Sequence, residues 1–276
     1  MKNYLFIFFF LSQIFAQHDQ VFVGTRPLSM GGAFSAVADD ANAIVWNPAG
    51  LPGLRRTEFT STFADLYDLG INHSYIGFVR PFSDQIAIGF DWSNIGFDDK
   101  ELGYSENKLN FSVGLQPHRI FSIGLNVKYL MRDMLLNETS YGKSNGIGRD
   151  LGIIIKPSKN VKMGLGIYDI GGTSVSYKDR TEETILGQAF RLGISYMPIN
   201  GLTLAADFSD RLHLGAEYIL GSRVSFRTGL QQGLNSNNEK DILIPSAGMS
   251  LKFKSIVMEY GFESHPYLNP THRFTV

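Results

Sequence analysis

Phe121-Ser122-Ile123-Gly124-Leu125-Asn126-Val127-Lys128-Tyr129 decides the fold. Its odd positions are large and apolar, and its even positions are Ser, Gly, Asn and Lys. Successive side chains of an extended chain point to opposite faces, so this stretch is a strand with one apolar face and one polar or glycine face. The pattern runs outward in both directions. Leu109, Phe111, Val113 and Leu115 oppose Lys108, Asn110, Ser112 and Gln116. Ile86, Ile88, Phe90 and Trp92 oppose Gln85, Ala87, Gly89 and Asp91. Toward the C-terminus, Leu212, Leu214, Ala216 and Tyr218 oppose His213, Gly215 and Glu217, and Ile256, Met258, Tyr260 and Phe262 oppose Val257, Glu259, Gly261 and Glu263.

The alternation predicts strands near 57–64, 73–81, 84–94, 106–116, 119–131, 146–156, 160–170, 188–198, 201–208, 211–220, 222–231, 244–253, 255–263 and 270–276. Several are about ten residues long, the length with which a tilted strand crosses a bilayer. No helical period competes after residue 56. The links alternate between tight turns, such as Phe82-Ser83, Pro117-His118 and Ile199-Asn200, and longer connections, the longest being 132–145 and 171–187. Only Ser209-Asp210 breaks that rhythm. Short turns at one rim and longer loops at the other mark an outer-membrane barrel, and an even strand count puts both termini in the periplasm. The expected fold is all-β, a transmembrane antiparallel up-and-down barrel of about fourteen strands. A secreted sandwich also alternates, but the aromatic outer faces favour lipid. On this register Phe111, Ile123, Leu165 and Ile194 face lipid, while Lys108, Lys128, Lys162 and Arg191 face the lumen.

Composition agrees. The 276 residues carry a net charge of -1, only 18% charged residues, 29 Gly and 13% aromatics. An apolar outer face and a polar inner one average to a mean hydropathy close to zero. The charge balance provides no basic face for nucleic acid. With no Cys, disulfide frameworks, thiolate metal sites and cysteine nucleophiles are excluded. At the N-terminus, Lys2 precedes the apolar run Tyr4–Leu11 and the small residue Ala16. This predicts a secretory signal peptide over 1–16. No later segment approaches the 18 apolar residues of a membrane helix.

Residues 22–54 do not alternate. They contain Gly24-Thr25-Arg26-Pro27-Leu28-Ser29-Met30-Gly31-Gly32-Ala33-Phe34, Ala38-Asp39-Asp40-Ala41 and Trp46-Asn47-Pro48-Ala49-Gly50-Leu51. Asp39 or Asp40 can cap a short helical turn over 41–46, which Asn47-Pro48 ends. Gly31 and Gly32 permit close backbone packing. These pieces resemble the family of FadL-type and PorV/PorQ-type outer-membrane proteins. The Arg-Pro-Leu-Ser-Met-Gly-Gly run is nearer to the PorV/PorQ branch. The resemblance implies a fourteen-stranded barrel with an N-terminal hatch, here residues 17–55, plugging a barrel of 56–276. It implies an accessory role in type IX protein secretion or surface attachment, with secretion subunits or exported proteins as partners. The alternative is a FadL-like channel for long-chain fatty acids or other hydrophobic small molecules, with a hydrophobic ligand as partner. Family members run past the Thr271-His272-Arg273-Phe274 element to a terminal aromatic, so ending at Val276 predicts a short last strand, from a truncated gene or a fragment. The chain is also small for either branch, which predicts that large extracellular loops are missing.

Candidate chemistry is sparse. No His pair stands at helical metal-binding spacing, so no metal site is expected. Gly146-Ile147-Gly148-Arg149-Asp150-Leu151-Gly152 loosely matches a dinucleotide loop but opens a strand with no helix after it. Ser29, Ser35 and Ser246 lack a nucleophile-elbow setting. Neither catalysis nor a cofactor is expected. Candidate site residues are therefore the hatch motif (Gly31, Gly32, Asp39, Asp40, Trp46, Asn47, Pro48, Gly50) and inward charges on neighbouring strands (Arg191, Asp207, Glu217, Arg223, Arg227, Glu259). Mixed signs on adjacent strands predict cross-strand pairs that also hold the hatch, with the helix-start amides or inward Arg residues such as Arg191 or Arg223 as donors to Asp39 and Asp40. Pro245 predicts a kink or gap in the wall, or a strand that starts one residue later.

Overall fold

The computed structural model describes residues 22–98, 102–136, 139–177, 180–234 and 242–276; the expected signal peptide over 1–16 lies outside them. Sixteen strands follow one another: β1 (Glu58–Leu66), β2 (Ile71–Pro81), β3 (Ile86–Asp98), β4 (Leu102–His118), β5 (Phe121–Leu136), β6 (Thr139–Ser158), β7 (Val161–Tyr168), β8 (Thr173–Tyr177), β9 (Arg180–Leu186), β10 (Ala189–Ile199), β11 (Leu202–Phe208), β12 (Arg211–Leu220), β13 (Val224–Gly233), β14 (Leu243–Phe253), β15 (Ile256–Glu263) and β16 (Thr271–Thr275). Each pairs antiparallel with its neighbours, and β1 pairs with β16 at Thr62↔Thr275, which closes the sheet. β7 and β8 are two halves of one stave, as are β9 and β10. Sixteen strands less these two mergers make a barrel of fourteen staves.

All fourteen expected strands are present, but the two longest expected connections are not loops. Residues 132–136 and 139–145 prolong β5 and β6, and most of 171–187 is the β8–β9 hairpin. Apolar–polar alternation is absent from these parts, yet backbone pairing continues where that sequence signal stops. Cross-strand charges support the extension: Arg132 Nε lies 2.6 Å from Glu106 Oε2 and Lys143 Nζ 3.3 Å from Asp133 Oδ2. Pro245 lies inside β14, opposite Leu230, and its carbonyl accepts the Ser264 N–H at 3.0 Å, so the strand pairs across it although its missing N–H removes the reciprocal bond. The wall is broken elsewhere, between β7 and β8.

The outer face carries the large apolar side chains: Phe111, Leu125 and Phe226 are each about half exposed. A belt of this size is stable only against lipid, since each such side chain in water forfeits roughly 1.5–3 kcal/mol. The inner face at mid-height is glycine. Gly114↔Gly124, Gly124↔Gly152, Gly164↔Gly193, Gly215↔Gly229 and Gly248↔Gly261 are direct cross-strand partners. Residues 22–54 fill the space that this ring leaves. They form a short helix α1 (Thr25–Ser29), a single turn α2 (Ala43–Trp46) and a 3-10 helix (Pro48–Gly53). The hydrophobic core is therefore inside the barrel and belongs mainly to this segment: Met30, Phe34, Val37, Ile44, Trp46 and Leu51 are buried.

Candidate functional site

The lower rim is taken as the end where β1 begins and β16 ends. From that side, Arg26 of α1 is the hub of the inner segment. Its Nε and Nη2 donate to both oxygens of Glu217 on β12 at 2.9 and 2.6 Å, and its Nη1 donates to Asp39 at 2.7 Å and Asp40 at 2.9 Å. Arg227 on β13 donates from Nε to Glu217 at 2.7 Å and its Nη2 reaches Glu259 on β15 at 3.1 Å. The result is a continuous chain, Asp39/Asp40–Arg26–Glu217–Arg227–Glu259. Bidentate guanidinium–carboxylate pairs of this kind are short and directional. Burial opposes the charge on Asp39, but Arg26 and Lys162 outweigh it and hold its carboxyl down at about 2. Burial also opposes the Arg26 charge, and Glu217, Asp39 and Asp40 outweigh it in turn. Below this network a cavity of about 840 Å³ opens at the lower rim.

Above it, Asp207 Oδ2 accepts the backbone N–H groups of Phe34 (3.1 Å) and Ser35 (2.9 Å). Arg191 donates to the Gly32 carbonyl at 3.0 Å and its guanidinium sits 5.0 Å over the Trp46 ring. Trp46 donates from Nε1 to the Val23 carbonyl at 2.9 Å. Gly31 and Gly32 both have positive φ, 62° and 77°, and a Cβ on Gly31 would meet the Leu230 backbone of β13. Asn47 donates to Ser35 O at 2.8 Å and to Ile153 O of β6 at 3.2 Å, while its Oδ1 accepts the Ala49 N–H. Pro48 lies so close to Gly124 that a Cβ there would collide with its carbonyl carbon, and one on Gly50 would collide with Ala38 O.

Of the inward charges read from the sequence, Arg191, Asp207, Glu217, Arg227 and Glu259 stand in this assembly. Arg223 does not: it is exposed in the turn before β13, because that strand starts at Val224. Asp39 and Asp40 meet Arg26 and Lys162 instead of Arg191 or Arg223. Asp40 Oδ1 accepts the Asn42 N–H at 2.8 Å, a local turn bond just ahead of α2. Arg26 was legible only as part of a motif, since Glu217 already has Arg227 as its cross-strand partner.

A second buried cluster was missed. Lys128 Nζ lies 2.8 Å from both Asp150 and Asp169. Lys128 and Asp150 face inward on adjacent strands and could have been paired from register. Asp169 could not, since it sits in the wall break. On the register Leu151↔Ile167 of β6 and β7, Ser144 would face Ser174; it faces Tyr177, three residues on. The surplus is taken up by Asp169 (φ 50°), Ile170, Gly171 (φ 79°) and Gly172 (φ 82°). One ladder bond survives there, Ile170 N–H to Arg149 O at 2.8 Å. The break adjoins the inner segment: Tyr168 Oη donates to the Trp46 carbonyl at 2.5 Å. Among the described residues no three His, Asp or Glu side chains converge on a metal-binding arrangement.

No protein-family model matches the chain, and no curated protein matches it. Solved structures do. A monoaromatic hydrocarbon channel, CymD, is 14% identical with a TM-score of 0.70, over 94% of this chain and 97% of that one. The toluene transporter TbuX of Ralstonia pickettii is 13% identical with a TM-score of 0.63, over 92% and 96%. A FadL homologue of Pseudomonas aeruginosa is 10% identical with a TM-score of 0.62, over 95% and 98%. At these identities the likeness is one of fold.

Proposed function

We propose that the chain is a passive outer-membrane channel for small hydrophobic molecules, with the lower rim and both termini in the periplasm, residues 1–16 a signal peptide and 17–55 the hatch. The observation that carries this reading is the wall break at Asp169–Gly172 beside a filled lumen. A solute entering from the upper rim meets the inner segment and not an open pore, and the nearby interruption offers an apolar molecule a way sideways into lipid. The solved structures of like fold are described as hydrocarbon channels and transporters, which supports the same reading. The secretion-accessory role gains no comparable support from any of them.

The test is uptake of radiolabelled toluene by cells carrying the chain in their outer membrane. Deleting Ile170–Gly172 removes the three surplus residues, so that β7 and β8 continue in one register against β6. Uptake several-fold above empty-vector cells, abolished by the deletion in a protein that still runs as a folded barrel on unheated gels, is the expected result. Uptake at the empty-vector level, or unchanged by the deletion, would defeat the proposal.

A further inference from the structure

The wall break at Asp169–Gly172 keeps one ladder bond, yet side chains hold its backbone in place. The Asp169 N–H donates to the side chain of Asp150, at 2.9 Å from Oδ1. Asp169 Oδ1 accepts from Thr173 Oγ1 at 2.5 Å, across the surplus residues, and lies 2.8 Å from Lys128 Nζ. The same ammonium lies 2.8 Å from Asp150 Oδ1. Lys128 belongs to β5 and Asp150 to β6, so one cation ties the break to the two strands behind it. Gly148, the cross-strand partner of Lys128, leaves the room for this: a Cβ there would lie 2.5 Å from Thr173 Oγ1 and 2.9 Å from Asp169 Oδ1. The three charged side chains are almost fully buried, at 5%, 4% and 0% exposure for Lys128, Asp150 and Asp169. Removing the ammonium alone would leave two buried carboxylates side by side, which is costly. They are not equally anchored. Asp150 sits within β6, paired with β5 at Asn126, and also accepts from Asn126 Nδ2 at 2.8 Å. Asp169 sits in the break at φ 50°, a conformation that a residue other than Gly keeps only where its surroundings impose it. Repulsion would therefore move Asp169 and leave Asp150 in place.

We propose that Lys128 is a positioning residue for the sideways exit: its ammonium, held between Asp150 and Asp169, sets the width of the break, and its loss opens it. This rests on reading the break as the exit, but it is tested through amide exchange and not through flux. Altered exchange without toluene uptake would leave the clamp and sink the channel, and uptake without altered exchange would sink the clamp alone.

The experiment is hydrogen–deuterium exchange, read by mass spectrometry on the full chain in lipid nanodiscs at pH 7. Peptides spanning 169–173 are compared with peptides from β12–β15. Lys128→Met should speed exchange at 169–173 by roughly tenfold or more and leave β12–β15 unchanged, since local opening and not global stability is altered. Adding Asp169→Asn to Lys128→Met should bring exchange back to near that of the unsubstituted chain, because the amide removes the repulsion and can donate to Asp150. Exchange that is unchanged in Lys128→Met, or faster throughout the barrel, would overturn the proposal. So would a double variant as fast as the single one, which would mean that Lys128 acts through its bulk. Heat-modifiable migration on gels reports whether Lys128→Met folds. If it does not, Asp169→Ala decides: it should speed exchange at 169–173 and not in β12–β15, and no local change would overturn the proposal.

Discussion

The inner segment is held by two walls in two different ways. On the β12–β15 side close packing of Ser29–Gly31 on Gly215, Gly229 and Gly248 is joined by an electrostatic contact: Arg26 meets Glu217, and through it Arg227 and Glu259. On the β4–β6 side the contact is one of shape: Asn47 and Pro48 press on Gly114, Gly124 and Gly152, where no Cβ would fit. The first wall offers directional bonds that depend on charge state. The second offers close packing that is indifferent to charge and intolerant of volume. A plug fastened in both ways can be loosened on one side while it stays seated on the other.

The largest expected effect comes from removing both contacts. Deletion of 22–54 should leave an assembled barrel whose single-channel conductance in a planar bilayer is far above that of the intact chain. Equal conductance would mean that the segment does not obstruct the lumen. Breaking only the electrostatic wall comes next. Glu217 is 2% exposed at its side chain and is shared by two guanidiniums, so Glu217→Ala should cost about 3 kcal/mol, toward the lower end for broken buried pairs because Asp39, Asp40 and Glu259 remain. Acrylamide quenching of Trp46 fluorescence, measured in a Trp92→Phe background, should rise with that substitution; unchanged quenching would show that the pair is dispensable.

Breaking only the shape contact should cost less. Gly124→Val forces the Asn47–Pro48 turn away from β5, about 1–3 kcal/mol for overpacking, and the loss should be insensitive to salt. The Glu217→Ala loss, by contrast, should shrink in high salt. If both variants responded alike to salt, the two walls would not differ as described. The smallest effect is that of acid. Asp39 titrates at about 2 in the folded chain against roughly 3.9 when unperturbed, so its contribution is complete above about pH 4 and is lost as pH falls toward 2. Because its side chain is 42% exposed, the effect should be modest. Pepsin cleavage within 22–54 should increase between pH 4 and 2, and Asp39→Asn should remove that pH dependence. A variant with the same pH profile would point to another titrating group.

The sequence by itself determined fourteen of the strands, the number of staves and the faces of those strands. Strand periodicity is a local property, written wherever lipid and lumen differ across the wall, so Phe111 and Asn110 already announce their sides. It also marked 22–54 as non-strand and located its glycines and its Asn47-Pro48 turn. At 132–145 and 171–187 the alternation vanished, and strands read as loops. What only the tertiary structure decided was partnership. Arg26 and Glu217 are 191 residues apart and meet because closing the barrel brings β12 around to the segment that threads it. The break at Asp169–Gly172 is likewise a mismatch of three residues between two registers along β6, and neither register exists until those strands have paired. Side-chain direction is encoded one residue at a time. Register and contacts across the lumen are sums over the whole circuit of the wall, and no short stretch of sequence contains them.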